Sequence, residues 1–160
     1  MSSPQSHPAV TSVVEALRER GVTGEVRWLD EAARTAVDAA AALGTTVGAI
    51  ANSLVFTLDD EPVLIMTSGA HRVDTAWLGE QLGGRLKRAD ADVVRAATGQ
   101  VIGGVAPVGH PTPIRTWVDT ALADHDQLWA AAGHAHTVFP LTYDELLTIT
   151  DGVATAVVPD

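Results

Sequence analysis

Apolar residues recur along the chain with two spacings, one typical of helices and one typical of strands. After Pro8 they follow the i, i+3, i+4 and i+7 spacing of an amphipathic helix, which Gly21 ends. An Ala-rich stretch that stops at Gly44 has the composition of a second helix. In all, helices are predicted from Pro8, over residues 35–43, and after Asp74, Asp90 and Thr142, where Thr142 and Glu145 form a capping box.

Continuous apolar runs predict strands. Residues 53–58 and 62–67 flank the polar triplet Asp59-Asp60-Glu61, which is the pattern of a hairpin whose strands are covered on both faces. Shorter strands are predicted at 24–29, 114–118, 128–132, 136–141 and 153–158. Helices and strands are mixed without a strict βαβ rhythm, so we predict an α+β fold with a mixed sheet rather than a doubly wound one.

The composition fits one domain. The chain has 160 residues, of which 46% are hydrophobic and 19% charged, and this excludes disordered and collagen-like classes. We assign residues 8–160 to a single domain and residues 1–7 to a loose N-terminus. The absence of cysteine excludes thiolate metal sites and a cysteine nucleophile. We see no secretory signal and no apolar stretch of the ~20 residues that span a bilayer, and we expect a cytoplasmic protein without membrane partners.

The charge balance restricts the possible partners. Twenty acidic residues face ten basic ones, giving a net charge of −10, and Lys87 is the only lysine. A protein that binds along a long nucleic-acid duplex must contact many phosphates through Lys or Arg, so a duplex-binding protein is excluded. A small contact at one end of an RNA remains open.

Familiar reaction motifs are incomplete. Gly104 and Gly109 have the spacing of a phosphate loop, but His110 and Pro111 stand where its lysine and hydroxyl belong. Met66 stands where a nucleophile elbow needs glycine. His134 and His136 lack an obvious third ligand, so we predict no metal and no cofactor. The Gly- and Pro-rich run 103–113 is then either a structural turn or a shaped loop whose N–H groups face a ligand.

Five segments, taken together and in order, resemble a known family. They are IANSLVF at 50–56, TSGAHRVD at 67–74, LKRAD at 86–90, the stretch 98–110 with GGVAPVGH, and LWAAAG at 128–133. The pattern is similar to the YbaK family, also called the prolyl-tRNA synthetase-associated editing domain. The resemblance runs from about residue 8 to 148.

The resemblance implies a deacylase that acts in trans on mischarged aminoacyl-tRNA and contacts its 3′ end. It also implies a mixed, barrel-like sheet flanked by helices. The family's G-x-x-x-P loop falls on Gly103, Gly104, Val105, Ala106 and Pro107, where backbone N–H groups would hold the ester carbonyl. The terminal ribose hydroxyl would help to position water, so no protein nucleophile is required. The family lysine is replaced by Asn52, a neutral donor.

The resemblance also yields a candidate site. We expect the G-x-x-x-P loop to form a concave wall opposite Asn52 and the Ser68-Gly69 turn, with His110 at the entrance. Further candidate substrate contacts from the same blocks are Ser53, His71 and Gly133. Arginines, His71 or His110 would replace the missing charge, and the candidate tRNA contacts are Arg72, Arg85, Lys87, Arg88 and Arg115. We expect a bulky residue at Gly104 to abolish ligand binding with little change in the thermal midpoint.

Three functions fit these observations. The first is an editing hydrolase that removes a small amino acid from tRNA. The second is a binding module of the same fold, with little or no catalysis, for an aminoacyl-adenosine-like ligand or a protein. The third is a hydrolase of another small ester or amide.

Overall fold

The structure, a computed structural model, describes residues 8–22, 25–31, 35–100 and 104–159. The predicted loose terminus 1–7 and the site candidate Gly103 lie outside these ranges. The described elements are α1 (Pro8–Glu19), β1 (Arg27–Trp28), α2 (Ala36–Leu43), a 3₁₀ turn (Val47–Ala49), β2 (Ile50–Leu58), β3 (Glu61–Ser68), α3 (Thr75–Leu82), β4 (Leu86–Arg88), α4 (Ala91–Thr98), β5 (Thr116–Asp119), a second 3₁₀ turn (Thr120–Asp124), β6 (Leu128–Ala131), β7 (Thr137–Leu141), α5 (Tyr143–Thr150) and β8 (Val153–Thr155). No helix in these ranges is long and apolar enough to cross a bilayer.

The helix boundaries agree with the caps read from the sequence. The side chains of Asp74 and Asp90 accept hydrogen bonds from the backbone N–H groups of Trp77 and Val93. Thr142 and Glu145 complete the capping box at the start of α5. Each cap satisfies a backbone donor that the first helical turn leaves unpaired, which is why these side chains set the helix starts.

The described strands form one eight-stranded mixed sheet in the order β1-β7-β6-β2-β3-β5-β8, with β4 also paired to β2. The predicted hairpin is confirmed as β2 and β3, whose register runs from Ala51 opposite Ser68 to Leu58 opposite Glu61. The pairs β2–β6, β3–β5 and β5–β8 are parallel, and the other described pairs are antiparallel. The α+β class with a mixed sheet is therefore confirmed.

The two faces of the sheet carry separate apolar clusters. Leu64 and Met66 of β3 point into the larger cluster, together with Val13 and Leu17 of α1 and Phe139 of β7. The alternate positions of β2 and β3, such as Phe56 and Ile65, pack with Leu78 of α3 on the other face. Strand β3 is buried on both faces as predicted, since residues 63–68 are all buried.

One edge of β2 is only partly paired. Strand β3 runs along one edge, whereas the other edge meets β6 at Ile50 and Ala51 and β4 at Phe56–Leu58. Between β6 and β4, residues 52–55 form an interval, the sheet gap, in which this second edge of β2 has no described strand beside it. Sequence patterning did not predict β4, because only Leu86 of its three residues is buried.

Candidate functional site

The sheet gap opens into a cavity of about 500 Å³, which we call the β2 cavity. Its wall includes all of residues 51–55, together with Ala36 and Ala39 of α2 and Ala130 of β6. The volume falls within the roughly 300–1,000 Å³ typical of ligand sites. Because strand side chains alternate between faces, this wall takes Asn52 from one face of the sheet and Ser53 from the other.

Asn52 and Ser53 both line the β2 cavity and are partly exposed there. Asn52 lies opposite Thr67 in the hairpin, on the face that packs with α2 and α3. Ser53 lies opposite Met66, and its hydroxyl donates to the Met66 sulfur at 3.2 Å. Asn52 therefore offers the cavity a neutral amide.

Two arginines bring positive charge to the same cavity. Arg72 and Arg88 line it, and no described carboxylate lies within ion-pair distance of either guanidinium. A third arginine, Arg27, lies with its guanidinium carbon 5.0 Å from the ring centroid of Trp129, another wall residue. In a chain of net charge −10 this is a local concentration of cations, suited to an anionic ligand.

The other cationic candidates lie elsewhere. Arg85 and Lys87 line a small separate pocket with Asp59 and Asp60. The guanidinium of Arg115 lies 4.6 Å from the ring centroid of Trp117. The structure therefore brings Arg72 and Arg88 to the β2 cavity and leaves these three outside it.

The described part of the G-x-x-x-P loop is held from inside the protein. Gln100, which is 2% exposed, accepts the Ala106 N–H at 2.7 Å and donates to the Val108 carbonyl at 3.1 Å. Val105 lines the β2 cavity, whereas Ala106 and Pro107 are buried and do not. Pro107 has no N–H, and the Ala106 N–H is already donated, so Val105 is the described loop residue that can present a backbone donor to the cavity.

Gly104 and Gly133 are close-packing positions. The Gly133 N–H donates to the Gly104 carbonyl at 2.8 Å. A Cβ on Gly104 would lie 2.6 Å from the backbone carbon of His134, and Gly133 adopts φ +102° against the backbone of Ala9. Neither glycine lines the β2 cavity. The expectation that Gly104 could be enlarged without loss of stability is thus corrected, because backbone atoms leave no room for a side chain.

His110 lies on the far side of the loop from the β2 cavity. Its Nε2 donates to the Ala106 carbonyl at 2.9 Å, and the residue lines a shallow depression against α1. Burial lowers the pKa of His110, so the neutral ring is favoured. The structure does not bring His110 to the entrance of the β2 cavity.

The segment that follows β3 contains a residue that lines the β2 cavity and residues that bond to other parts of the protein. Gly69 lines the β2 cavity, but the Ser68 hydroxyl is buried and donates to the Gly48 carbonyl at 2.9 Å. His71 lines a different pocket of about 420 Å³, with its Nδ1 2.9 Å from an Asp119 carboxylate oxygen. Neither His71 nor His110 supplies charge to the β2 cavity.

Among the described residues, no group of three histidine or carboxylate side chains could hold a metal ion. The backbone N–H of His136 donates to Nδ1 of His134, and Nδ1 of His136 bonds to the Leu29 carbonyl. One ring nitrogen of each histidine therefore makes a structural contact, within the turn between β6 and β7 or from that turn to Leu29.

Comparison with known proteins assigns the family. A model of the aminoacyl-tRNA editing domain matches residues 30–149. The chain belongs to the aminoacyl-tRNA editing domain family. This confirms the resemblance inferred from the five sequence blocks, and the match includes the β2 strand, the loop and the segment after β3.

Three proteins of similar sequence or structure span most of the chain, and one of them is described as an editing enzyme. A crystal structure of a proposed trans-editing enzyme for prolyl-tRNA synthetase is 37% identical, with a TM-score of 0.90, over 96% of this chain and 99% of that one. The crystal structure of hypothetical protein APE2540 is 26% identical, with a TM-score of 0.84, over 91% and 98% of the two chains. The uncharacterized protein YwhH of Bacillus subtilis (strain 168) is 27% identical over 76% of this chain and 78% of its own length.

Proposed function

We propose that this editing domain hydrolyses the ester between a small, wrongly attached amino acid and the 3′-terminal adenosine of tRNA, in the β2 cavity. The observation that carries the proposal is the meeting of Asn52, Val105 and two arginines without carboxylate partners around one cavity at the sheet gap. Family membership supports the reaction class, and the positive charge at the cavity supports this location for it. The proposal places the protein in the cytoplasm, where tRNA is charged.

The roles of the wall residues follow from their chemistry. The guanidinium groups of Arg72 and Arg88 bind the phosphates next to the terminal adenosine, by charge-assisted hydrogen bonds. The Val105 N–H donates to the ester carbonyl and stabilises the negative charge that develops there as water attacks. The C–O bond to the ribose then breaks, which releases the free amino acid and the tRNA hydroxyl. A ribose hydroxyl positions the attacking water, so the protein needs no nucleophile of its own.

The lining of the cavity favours a small amino acid. Ala51, Val55, Val94 and Ala130 form an apolar part of the wall on the face of the sheet that Val105 shares. Strand and helix backbones hold these side chains, and we propose that this part of the wall admits a small aminoacyl side chain and rejects a larger one by size.

Asn52 also supports a second candidate function. A neutral amide replaces the family's ammonium group, and one loop N–H is already donated to Gln100. Charge-assisted hydrogen bonds contribute about 1.5–3 kcal/mol, against about 1 for a neutral bond, so catalysis with Asn52 is slower. A domain that binds the aminoacyl-adenosine end without cleaving it is the alternative.

Deacylation of a panel of mischarged tRNAs tests the proposal. We expect hydrolysis of tRNA charged with small amino acids and none of tRNA charged with large ones. Arg88→Ala should raise KM with little change in kcat, since a phosphate contact is made equally in the ground and transition states. Arg85→Ala is the matched control, because Arg85 lies in the separate acidic pocket beside the same strand. Equal effects of the two substitutions would contradict the assigned site.

A further inference from the structure

Residues 68–72 connect the β2 cavity to a buried carboxylate behind it. The segment turns directly after β3, where the His71 N–H donates to the Ser68 carbonyl at 2.9 Å. Gly69 and Arg72 line the β2 cavity, whereas His71, between them, lines the 420 Å³ pocket on the other side. Any movement of this segment therefore moves part of the cavity wall.

Asp119 holds the segment from within the protein. The residue is 1% exposed, and one carboxylate oxygen accepts the Ser68 N–H at 3.0 Å, the Thr67 hydroxyl at 3.3 Å and a hydrogen bond from His71 Nδ1 at 2.9 Å. Its other oxygen accepts the Ala121 N–H at 3.0 Å. Within the described residues, His71 is the only basic side chain at ion-pair distance from it. Three of these four bonds tie Asp119 to residues 67–71.

The segment also fits its surroundings closely. A Cβ on Gly69 would lie 2.5 Å from the Cβ of Ala36 and 2.5 Å from the Val47 carbonyl oxygen. Because α2 and the first 3₁₀ turn pack closely against Gly69, these contacts set the position of residue 69 in the cavity wall. Arg72 lies beyond them, and no described carboxylate pairs with its guanidinium, so the backbone at 71–72 sets the point from which its side chain reaches the wall.

We infer that His71 is a positioning residue, whose Nδ1 bond to Asp119 holds the 68–72 segment so that Arg72 stays in the wall of the β2 cavity. The inference rests on the proposed function, because it assigns Arg72 to the anionic end of the ligand. Asp119 accepts the Nδ1 hydrogen whether His71 is neutral or charged, so the carboxylate also fixes the tautomer of the neutral ring. His71 itself does not touch the ligand.

Two substitutions at His71 distinguish the loss of its hydrogen bond to Asp119 from the loss of its side-chain volume. The amide nitrogen of asparagine sits as many bonds from Cα as Nδ1 does, so His71→Asn keeps a donor for Asp119 while His71→Ala removes it. His71 is about one-third exposed, which allows both changes without opening a core cavity. We expect His71→Ala to weaken ligand binding about tenfold, as for one lost hydrogen bond to a charged group. His71→Asn should restore most of the loss, and kcat should change little in either variant.

The experiment measures KM for deacylation and, separately, the Kd of adenosine 5′-monophosphate by calorimetry, with thermal midpoints for every variant. In an Arg72→Ala background His71→Ala should have no further effect on KM or Kd, because the histidine acts through the arginine. Asp124→Asn is the control: it removes a charge from the same 420 Å³ pocket without a hydrogen bond to the segment, and it should bind as wild type does.

The outcomes distinguish the two proposals. If the wild type binds adenosine 5′-monophosphate but hydrolyses no ester, the proposed function is wrong. The effect of His71→Ala is then measured as a change in Kd. A wild type that hydrolyses the ester without measurable nucleotide binding leaves that comparison to be read from KM. Unchanged binding in His71→Ala, or independent effects of His71→Ala and Arg72→Ala, overturns the inference while deacylation stands. A wild type that neither binds nor hydrolyses overturns both.

Discussion

At the scale of single residues, Gly104 shows how backbone packing constrains the loop beside the β2 cavity. A methyl group there would meet the backbone of His134 and Ala135 at 2.6–2.8 Å, and backbone atoms cannot turn aside as a flexible side chain can. We expect Gly104→Ala to lower stability by about 1–3 kcal/mol, the usual cost of overpacking. Chemical denaturation checks this. An unchanged unfolding midpoint would show that the loop has room that the structure does not indicate.

His110 is the residue whose titration should affect stability. Burial lowers its pKa in the folded state, so the unfolded chain binds more protons below the ordinary histidine pKa of about 6.5. Neutral His110 therefore contributes fully to the free energy of unfolding above that pH. This contribution declines as the pH falls toward the lowered pKa of the folded state. His110→Gln keeps a donor for the Ala106 carbonyl but does not titrate, so its thermal midpoint should fall less than that of wild type between pH 7 and pH 5. Parallel curves would contradict this.

At the scale of elements, the loop and the β2 strand differ in how much of them the sequence could predict. The hairpin, the capped helices and the part of β2 from Ser53 onward follow from local apolar runs and caps, whereas β2 begins at Ile50 and so includes Asn52, which lies outside the predicted strand. The sheet gap does not, because it depends on where β6 and β4 stop along β2, and such pairings join residues distant in sequence. The separation of His71 and His110 from the cavity has the same cause. Arg27 was also missed, since its contact with Trp129 requires the β1–β7–β6 pairing.

The Gln100 side chain holds the C-terminal part of the loop through two hydrogen bonds, one to Ala106 and one to Val108. Gln100→Met has a similar size but leaves the Ala106 N–H and the Val108 carbonyl without these partners in a buried site. Each unsatisfied group costs about 1–3 kcal/mol, so we expect both lower stability and slower deacylation. Thr142→Ala is a useful control, because it removes the α5 capping box, at about 1 kcal/mol, away from the cavity. Equal losses of activity in the two variants would argue against a specific role for the loop.

At the scale of the whole molecule, the charge distribution predicts how tRNA is bound. The net charge of −10 repels an extended phosphate backbone, while Arg72 and Arg88 attract phosphates at one place. We therefore expect weak binding through the single-stranded 3′ end, with a slope of log K against log salt of roughly −1.4, about −0.7 for each of two phosphates. Titration of tRNA and of a short single-stranded CCA oligonucleotide at several salt concentrations checks this. Tight, salt-independent binding to duplex RNA would contradict it.

The family resemblance followed from five ordered sequence blocks and the α+β class from the mixed order of helices and strands, whereas the arrangement of the site required the structure. Asn52 illustrates the difference. The resemblance of its block predicts that it replaces the family lysine, but only the fold shows that it shares a cavity with Val105, Arg72 and Arg88. The arginines are separated from Asn52 by 20 and 36 positions (72 − 52 and 88 − 52), and no local pattern relates them.

The most direct test of the central claim is single-turnover hydrolysis of small aminoacyl-tRNAs by the wild type and by Asn52→Lys. If the β2 cavity is the hydrolytic site, the wild type is active with a neutral donor, and the lysine adds a charge-assisted bond. The rate should then rise roughly 2- to 30-fold, which corresponds to the difference of about 0.5–2 kcal/mol between a charge-assisted and a neutral hydrogen bond. Inactivity of both proteins, with folding intact, would contradict the account and favour the binding module.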